Sequence, residues 1–278
     1  MQIFPTPALA YCAIGCTLNL FSTTVAAMRI TPIVFDMTAA GAGSKKTITV
    51  TSTEAKPLPV ELVITPVDLD ANGKHIALTN GEDDLMIFPP QAVIPPGATQ
   101  TFRVQWIGDP QLAKSQSYSI SINQVPVQID MPEAQPDKIH TAMQVVLNFS
   151  VFATVRPVMG SSTFKIRSVE IEGGEQPVKT KHKKGVKTTP SPQTKPKVAL
   201  VIENEGNLHN YFCNAVLTLQ AGSWSKTYAP AEIVRWLGPG IVLPQHTRRF
   251  LLNIDDLPAH PGKVTATIDM GDRVGLPY

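Results

Sequence analysis

The chain has 278 residues, including 25 Pro and 18 Gly. Lys and Arg number 24 against 22 Asp and Glu, and this near-neutral balance argues against a dedicated nucleic-acid binder, which usually carries a clearly basic domain. With only 3 Cys, a disulfide-rich scaffold is excluded. The length and a hydrophobic content of 43% predict one large domain or two of ordinary size.

Residues 1–27 carry no charge and end in Thr24-Val25-Ala26-Ala27. Small residues at the last and third-last positions are what signal peptidase requires, so we predict a signal peptide over 1–27, although no Lys or Arg follows Met1. The alternative is a membrane anchor, which the polar residues near the end of the run disfavour. After cleavage we expect no membrane insertion, and Cys213 remains as the one thiol.

Alternation of apolar and polar residues at period two dominates the rest of the first half. It predicts strands at 30–36, 45–52, 59–65, 85–88, 99–106, 117–123 and 142–155. Short strands at this spacing, separated by turn residues, are typical of an immunoglobulin-like sandwich. We therefore predict a first domain over 28–157.

The pattern breaks near 156–162, and a second, smaller sandwich is predicted over 158–278. Its expected strands are 163–172, 197–203, 211–219, 223–228, 232–236, 247–254 and 263–270. The predicted fold class is all-β, with two immunoglobulin-like domains.

A basic stretch interrupts this second domain. Residues 179–197 contain seven Lys and no carboxylate. The simpler interpretation is a disordered, solvated loop over 175–197, which cannot bury enough apolar surface to become ordered. The alternative, a tract for nucleic acid or an anionic surface, lacks the interleaved aromatic residues that base stacking needs.

Catalytic and metal-binding motifs are missing from the chain. Its six His lie outside any His-Glu-x-x-His arrangement, and neither a Gly-x-Ser-x-Gly elbow nor a phosphate-binding Gly loop occurs. We therefore predict a protein that is not an enzyme, with no cofactor and no metal.

The strand predicted at 142–155 is unusually long, because strands most often have about five or six residues. Met143, Val145, Leu147 and Phe149 begin an apolar row of one parity along it. This row either faces the core of the sandwich or forms an exposed edge that pairs with another chain.

Several segments in order resemble the PapD-type periplasmic chaperones that assemble pili by the chaperone–usher route. They are FPPQAVIPPGATQTFRV at 88–104, SYSISINQVP at 117–126, Arg156-Pro157, ENEGNLH at 203–209 and IDMG at 268–271. The resemblance covers residues 28–272 and implies a boomerang of two immunoglobulin-like domains in the periplasm of a Gram-negative bacterium.

What the resemblance implies about function is donor-strand complementation. Such a chaperone binds an incomplete pilin subunit, lends it a strand with alternate apolar side chains, and delivers it to an outer-membrane usher. Met143, Val145 and Leu147 match the donor residues, and Phe149 is a candidate addition to them. The identity of the pilin, the usher-binding surface and self-association of the free protein stay open.

The resemblance also implies a clamp for the pilin C-terminal carboxylate, formed by an Arg and a Lys. This chain has Pro32 and Phe152 at those positions. Neither can donate to a carboxylate, which marks a divergent branch, and Arg29 and Arg103 are the candidate replacements.

A pair between the domains is implied in the same way. Arg156 and Asp269 match two members of an interdomain ion network, and Ser115 stands where the third has Glu. We therefore expect a partly buried Arg156–Asp269 ion pair.

Two other classes of function remain as alternatives. The first is a pilus subunit or adhesin, which would need an incomplete fold and a donor extension near its mature N-terminus. The second is a non-catalytic extracytoplasmic binding module.

Overall fold

The structure, a computed structural model, describes residues 28–80, 82–126, 146–173, 196–258, 262–271 and 275–276. The predicted signal peptide, most of the predicted basic loop, and the implied donor residues Met143 and Val145 lie outside the described residues.

In the described part of the first half, ten strands form, β1 to β10. They span Met28–Thr31, Val34–Thr38, Lys45–Ser52, Leu58–Leu69, His75–Ala77, Leu85–Phe88, Gln91–Ile94, Thr99–Trp106, Gln116–Gln124 and Asn148–Arg156. The strand predicted at 30–36 is two strands, because the chain crosses from one sheet to the other at Pro32-Ile33. β1 pairs with β3, whereas β2 pairs with β10.

Two sheets pack face to face in this half. One has the order β1-β3-β8-β6, and the other has the order β2-β10-β9-β4-β5, with β7 also paired to β4. Alternate residues of each strand point into the space between the sheets. Ile48, Phe102, Ile120 and Val151 are fully buried there, so the alternation in the sequence corresponds to a real inner face.

Phe102 at the centre of β8 provides a test of this core. Replacing it with Ala should lower the free energy of unfolding by about 3–5 kcal/mol, because a cavity remains where the ring packed. Thr101→Ala, at an exposed position of the same strand, is the matched control and should change stability by less than about 0.5 kcal/mol. Urea unfolding measures both, and equal losses would contradict the assignment of the inner face.

The described second half contains eight strands, β11 to β18, one α-helix, α1, and a short 3-10 helix at Phe212–Asn214. The strands span Phe164–Glu172, Lys197–Asn204, Asn210–Tyr211, Val216–Ala221, Trp224–Tyr228, Ile241–Val242, Thr247–Leu252 and Val264–Asp269, and α1 spans Pro230–Leu237. Two three-stranded sheets have the orders β11-β12-β17 and β15-β14-β18, and β13 pairs with β16. The fold-class prediction is confirmed: two immunoglobulin-like sandwiches with strands as the dominant element.

The strand predicted at 232–236 is wrong, because this segment forms α1. Pro230 occupies the first helical turn, where its fixed φ suits a helix and its missing N–H costs nothing. The side chain of Glu232 accepts a hydrogen bond from the backbone N–H of Ala229 at 2.9 Å, which closes that turn. Gly238 then ends the helix with a φ of 63°.

The second hydrophobic core extends into the first half. It contains Leu200, Phe212 and Leu217, and it also includes Val67 and Phe152 from β4 and β10. The two halves therefore share packed surface. Their relative arrangement as a boomerang stays a prediction.

Candidate functional site

One edge of β10 is open over its first four residues. On one side β10 pairs with β9 from Asn148 to Val155, in antiparallel register. On the other side it pairs with β2 in parallel, but only from Phe152 onward. Among the described residues, no strand pairs with this second side between Asn148 and Val151, a segment that we call the open edge.

Hydrogen bonds identify which backbone groups face the open edge. The carbonyl of Leu147 accepts from the N–H of Gln124 on the β9 side, whereas the N–H of Phe152 donates to Ile33 on the β2 side. Backbone groups alternate between the two sides along an antiparallel strand. The N–H and C=O groups of Asn148 and Ser150 therefore point to the open edge, where a further strand could bind them.

Apolar side chains remain exposed around this edge. Phe149 lies opposite Ile122 on the inner side of the sheet, yet 40% of its surface is exposed. Leu147 is half-buried, and Val146 and Ile33 are exposed. A backbone edge together with apolar side chains is what an added strand needs, and it is a liability if left uncovered.

The apolar row of β10 divides into a buried part and a more exposed part. Val151, Ala153 and Val155 are fully buried in the first core. Phe149 and Leu147, toward the N-terminal end of the row, extend beyond it. The change occurs where β2 begins to cover β10, and the sequence alone does not mark that point.

The two arginines proposed as a carboxylate clamp lie on the other sheet. Arg29 is in β1 opposite Thr51, and Arg103 is in β8 opposite Thr47. Both side chains are exposed. Their role as a clamp stays a prediction, and their position in the four-stranded sheet separates them from the sheet that contains β10.

The structure does not bring Arg156 and Asp269 together as an ion pair within the described residues. Asp269 is exposed, and its carboxylate accepts a hydrogen bond from the N–H of Gly271 at 3.0 Å. The carboxylate that joins the two halves is a different one, from β2.

That carboxylate is Asp36, which sequence reasoning did not single out. Its Oδ1 accepts hydrogen bonds from Thr154 Oγ1 at 2.6 Å, Tyr211 Oη at 2.5 Å and His209 Nε2 at 3.1 Å. Thr154 lies on β10, whereas His209 and Tyr211 belong to the second half. His209 is 99% buried, since only 1% of its side chain is exposed.

These contacts shift the acidity of the cluster. Burial by itself raises the pKa of Asp36, but the hydrogen bond and charge of His209, with the bonds from Thr154 and Tyr211, bring that pKa below its ordinary value. Burial and the Asp36 charge raise the pKa of Tyr211, so its hydroxyl stays a donor. The cluster therefore keeps one carboxylate charged between the two halves.

Ser115 takes part in the same junction. Its hydroxyl accepts from the backbone N–H of His209 at 3.1 Å, and its own N–H donates to the carbonyl of Asn207 at 3.0 Å. The position where the resemblance implies Glu is thus at the junction of the two halves, but it contributes neutral hydrogen bonds there.

The β4–β5 hairpin makes a second contact between the halves. The carbonyl of Ala71 in its turn accepts from the N–H of Arg249 at 2.7 Å. Nearby, Nε2 of His246 lies 2.9 Å from Oδ2 of Asp68. Phe152 of β10 packs against the ring of His75 in β5 and belongs to the second core, whereas its neighbours Val151 and Ala153 belong to the first, so the C-terminal half of β10 is fixed on both faces.

Within the ranges that the structure describes, no group of three or more His, Cys, Asp or Glu is placed to hold a metal ion. In the same ranges, no helix has the length and apolarity to cross a membrane.

Comparison with known proteins gives a fold and no sequence family. No protein-family model matches, and no curated protein matches significantly. A crystal structure of the class 5 fimbriae chaperone CfaA aligns with a TM-score of 0.50 and 14% identity, over 90% of this chain and 96% of that chain.

Two further solved structures align less well. A chain of the chaperone–tip adhesin complex of CFA/I fimbriae biogenesis gives a TM-score of 0.48 at 13% identity, over 87% of this chain and 98% of that one. A chain of the Salmonella enterica SafA pilin–SafB chaperone complex gives a TM-score of 0.45 at 13% identity, and the alignment covers 83% of this chain and 86% of that one. The alignment with CfaA establishes that the chain has the fold of a fimbrial chaperone.

Proposed function

We propose that this protein is a periplasmic chaperone that binds an incomplete pilin-type subunit at the open edge of β10. The observation that carries the proposal is the open edge itself: two residues whose backbone groups have no strand partner on that side among the described residues, next to the exposed Phe149, in the fold of a fimbrial chaperone. Among the similar solved structures, the SafB chaperone is in complex with the SafA pilin and a CFA/I chaperone is in complex with a tip adhesin.

The physical basis of the interaction is mutual completion of two sheets. A pilin that lacks one strand exposes core residues and an unpaired edge, and a donated strand supplies both the missing hydrogen bonds and the missing apolar area. Leu147 and Phe149, with Met143 and Val145 before them, supply the apolar side chains. Burying three or four of them contributes on the order of 5–10 kcal/mol of gross transfer free energy before association costs.

Fixation of the strand by both halves supports this role. The C-terminal part of β10 is buried on both faces, so its open part is held in an extended conformation before a partner arrives. Preorganisation of this kind lowers the conformational entropy lost on binding. Delivery of the bound subunit to an outer-membrane usher belongs to the same proposal.

Co-expression with a neighbouring pilin subunit tests the function. The proposal expects a higher yield of soluble subunit in the periplasm, a complex that can be isolated, and absence of this protein from the finished fibre. Finding the protein in the fibre would make it a subunit or adhesin, and an unchanged subunit yield with no complex would leave a binding module of another kind.

A further inference from the structure

The four-stranded sheet of the first half contains positive charges only. Its strands β1, β3, β6 and β8 include the cations Arg29, Lys45, Lys46 and Arg103 and no Asp or Glu. The described acidic residues of the first half lie in the other sheet or in the segments between strands. This sheet is therefore basic, whereas the whole chain is close to neutral, with 24 Lys and Arg against 22 Asp and Glu.

Strand register places three of these cations on the outer face of the sheet. Arg103 pairs with Thr47, and Lys45 lies two residues before Thr47 on β3. Arg29 pairs with Thr51, four residues after Thr47 on the same strand. Residues two apart on a strand share a face, so all three cations point away from the first core. All three are exposed, and within the described residues none of them forms an ion pair.

Two exposed apolar side chains lie on the same face. Phe88 of β6 pairs with Arg103, and Met86 pairs with Gln105, so both follow the outward positions of β8. Phe88 is 69% exposed and Met86 is 46% exposed. Single exposed apolar residues are ordinary, but two of them beside unpaired cations suit a partner that is both anionic and apolar. We call the surface formed by Arg29, Lys45, Arg103, Met86 and Phe88 the basic face.

Short hydroxyl side chains fill the space between the cations. Thr49 and Thr101 pair near the centre of the sheet, and Thr51 Oγ1 lies 2.9 Å from Thr99 Oγ1. Threonine favours strands, so these residues by themselves indicate only an exposed sheet. They leave no bulky side chain between the cations, and an extended anionic surface can therefore approach all three together.

We propose that the basic face binds the surface of an anionic membrane. Lys and Arg side chains are attracted to anionic lipid headgroups within about a Debye length. Aromatic and other apolar side chains are favourable at the boundary between headgroups and acyl chains, where Phe88 and Met86 would lie. A dissolved polyanion would satisfy the cations but would leave these two side chains in water. The presence of both kinds of group on one face therefore favours a lipid surface.

Binding through the basic face leaves the rest of the molecule accessible. The second core includes Val67 and Phe152, so the second half packs on the other sheet. The open edge of β10 also belongs to that other sheet. A membrane on the basic face therefore covers neither the open edge nor the second half, and the inference does not depend on the proposed function.

Flotation of the full protein with lipid vesicles tests the proposal. One set of vesicles contains phosphatidylcholine alone, and the other contains equal amounts of phosphatidylcholine and phosphatidylglycerol. We expect binding to the mixed vesicles and none to phosphatidylcholine alone. Each Lys or Arg near an anionic surface strengthens binding about fivefold, so the double variant Arg29→Gln, Arg103→Gln should bind the mixed vesicles about 25-fold more weakly.

The double variant Arg235→Gln, Lys263→Gln is the matched control. It removes two exposed cations from the second half and has the same net charge as the Arg29→Gln, Arg103→Gln protein. It should bind the mixed vesicles nearly as well as the unmodified protein, and thermal unfolding checks that both variants are folded. Equal binding by the two double variants would overturn the proposal and would assign vesicle binding to another basic part of the chain, such as residues 179–197.

Phe88→Ser distinguishes a lipid surface from an acidic protein or polymer. The variant should bind the mixed vesicles several-fold more weakly, because the ring no longer contributes apolar area among the headgroups. It should bind dissolved polyglutamate like the unmodified protein, since its cations are unchanged. If the unmodified protein binds polyglutamate but not the mixed vesicles, the partner is an acidic macromolecule and the lipid surface is wrong.

Paramagnetic broadening locates the contact on the protein. Mixed vesicles that include a lipid with a spin-labelled headgroup are added to the full protein labelled with ¹⁵N. The amide signals of Thr101 and Arg103 should broaden more strongly than those of Asn148 and Ser150 at the open edge. Stronger broadening at the open edge would show that the membrane contacts another face and would contradict the proposal.

Discussion

Phe149→Asp is expected to abolish capture of a pilin-type subunit while leaving the protein folded. Phe149 is 40% exposed in the free protein, so a carboxylate there can stay solvated and costs little stability. In the complex the same carboxylate would enter an apolar groove without a partner, which costs several kcal/mol. Because about 1.4 kcal/mol is a factor of ten in affinity, we expect the yield of the complex to fall by two orders of magnitude or more.

Val63→Asp is the matched control for this variant. Val63 lies on β4 of the same sheet and is 41% exposed, but it points to the outer face and is separated from the open edge by β9. Co-expression followed by affinity purification measures both variants. Equal capture by the Phe149→Asp and Val63→Asp proteins would show that the subunit does not bind at the open edge.

The second large effect is expected at Asp36. Asp36→Asn keeps the shape of the side chain but removes its negative charge. The carboxylate oxygen Oδ1 of Asp36 accepts three hydrogen bonds at the junction of the halves. Hydrogen bonds to a charged group contribute about 1.5–3 kcal/mol, so we expect a loss of about 2 kcal/mol in the free energy of unfolding at pH 7.

The Asp36→Asn substitution should also change how strongly the free energy of unfolding falls at acid pH. The pKa of Asp36 in the folded protein lies below its ordinary value of 3.8, so the folded state binds this proton less readily than the unfolded state. The carboxylate therefore contributes stability above about pH 4, and this contribution is lost as the pH falls through the lowered pKa. Urea unfolding at pH 7 and at pH 3 should show a smaller acid loss for Asp36→Asn than for the unmodified protein.

Asp269→Asn provides the control, since this exposed residue was expected to pair with Arg156. Without such a pair, the substitution should change the free energy of unfolding by less than about 0.5 kcal/mol. A loss of 2 kcal/mol or more at Asp269, with none at Asp36, would restore the pair that the resemblance implied and would contradict the junction described for Asp36.

Strands with one buried face were predictable from the sequence. Those at 45–52, 85–88 and 99–106 have the predicted bounds, because each buries alternate residues against the first core and so shows period-two alternation. The helix at 232–236 was not predictable in this way. Five residues are too few to distinguish the hydrophobic period of a helix from that of a strand. The helix depends on Pro230 and Glu232, whose effect is local and not periodic.

The site was predictable only in part, for a related reason. Alternation showed that β10 has an apolar row, but pairing decides which part of the row is exposed. β2 covers β10 from Phe152 onward, and that boundary is a long-range contact between residues more than a hundred positions apart. Asp36 was missed for the same reason, because its partners His209 and Tyr211 lie in the other half of the chain.

Amide hydrogen exchange along β10, measured by NMR with and without a bound pilin subunit, tests the central claim most directly. In the free protein the amides of Phe149 and Val151 should be protected, because they face β9, whereas those of Asn148 and Ser150 should exchange rapidly. Binding of the subunit should slow exchange at Asn148 and Ser150, since their N–H groups then join the ladder of the guest strand. Unchanged rapid exchange at both residues in a stable complex would show that the subunit binds elsewhere and would contradict the account.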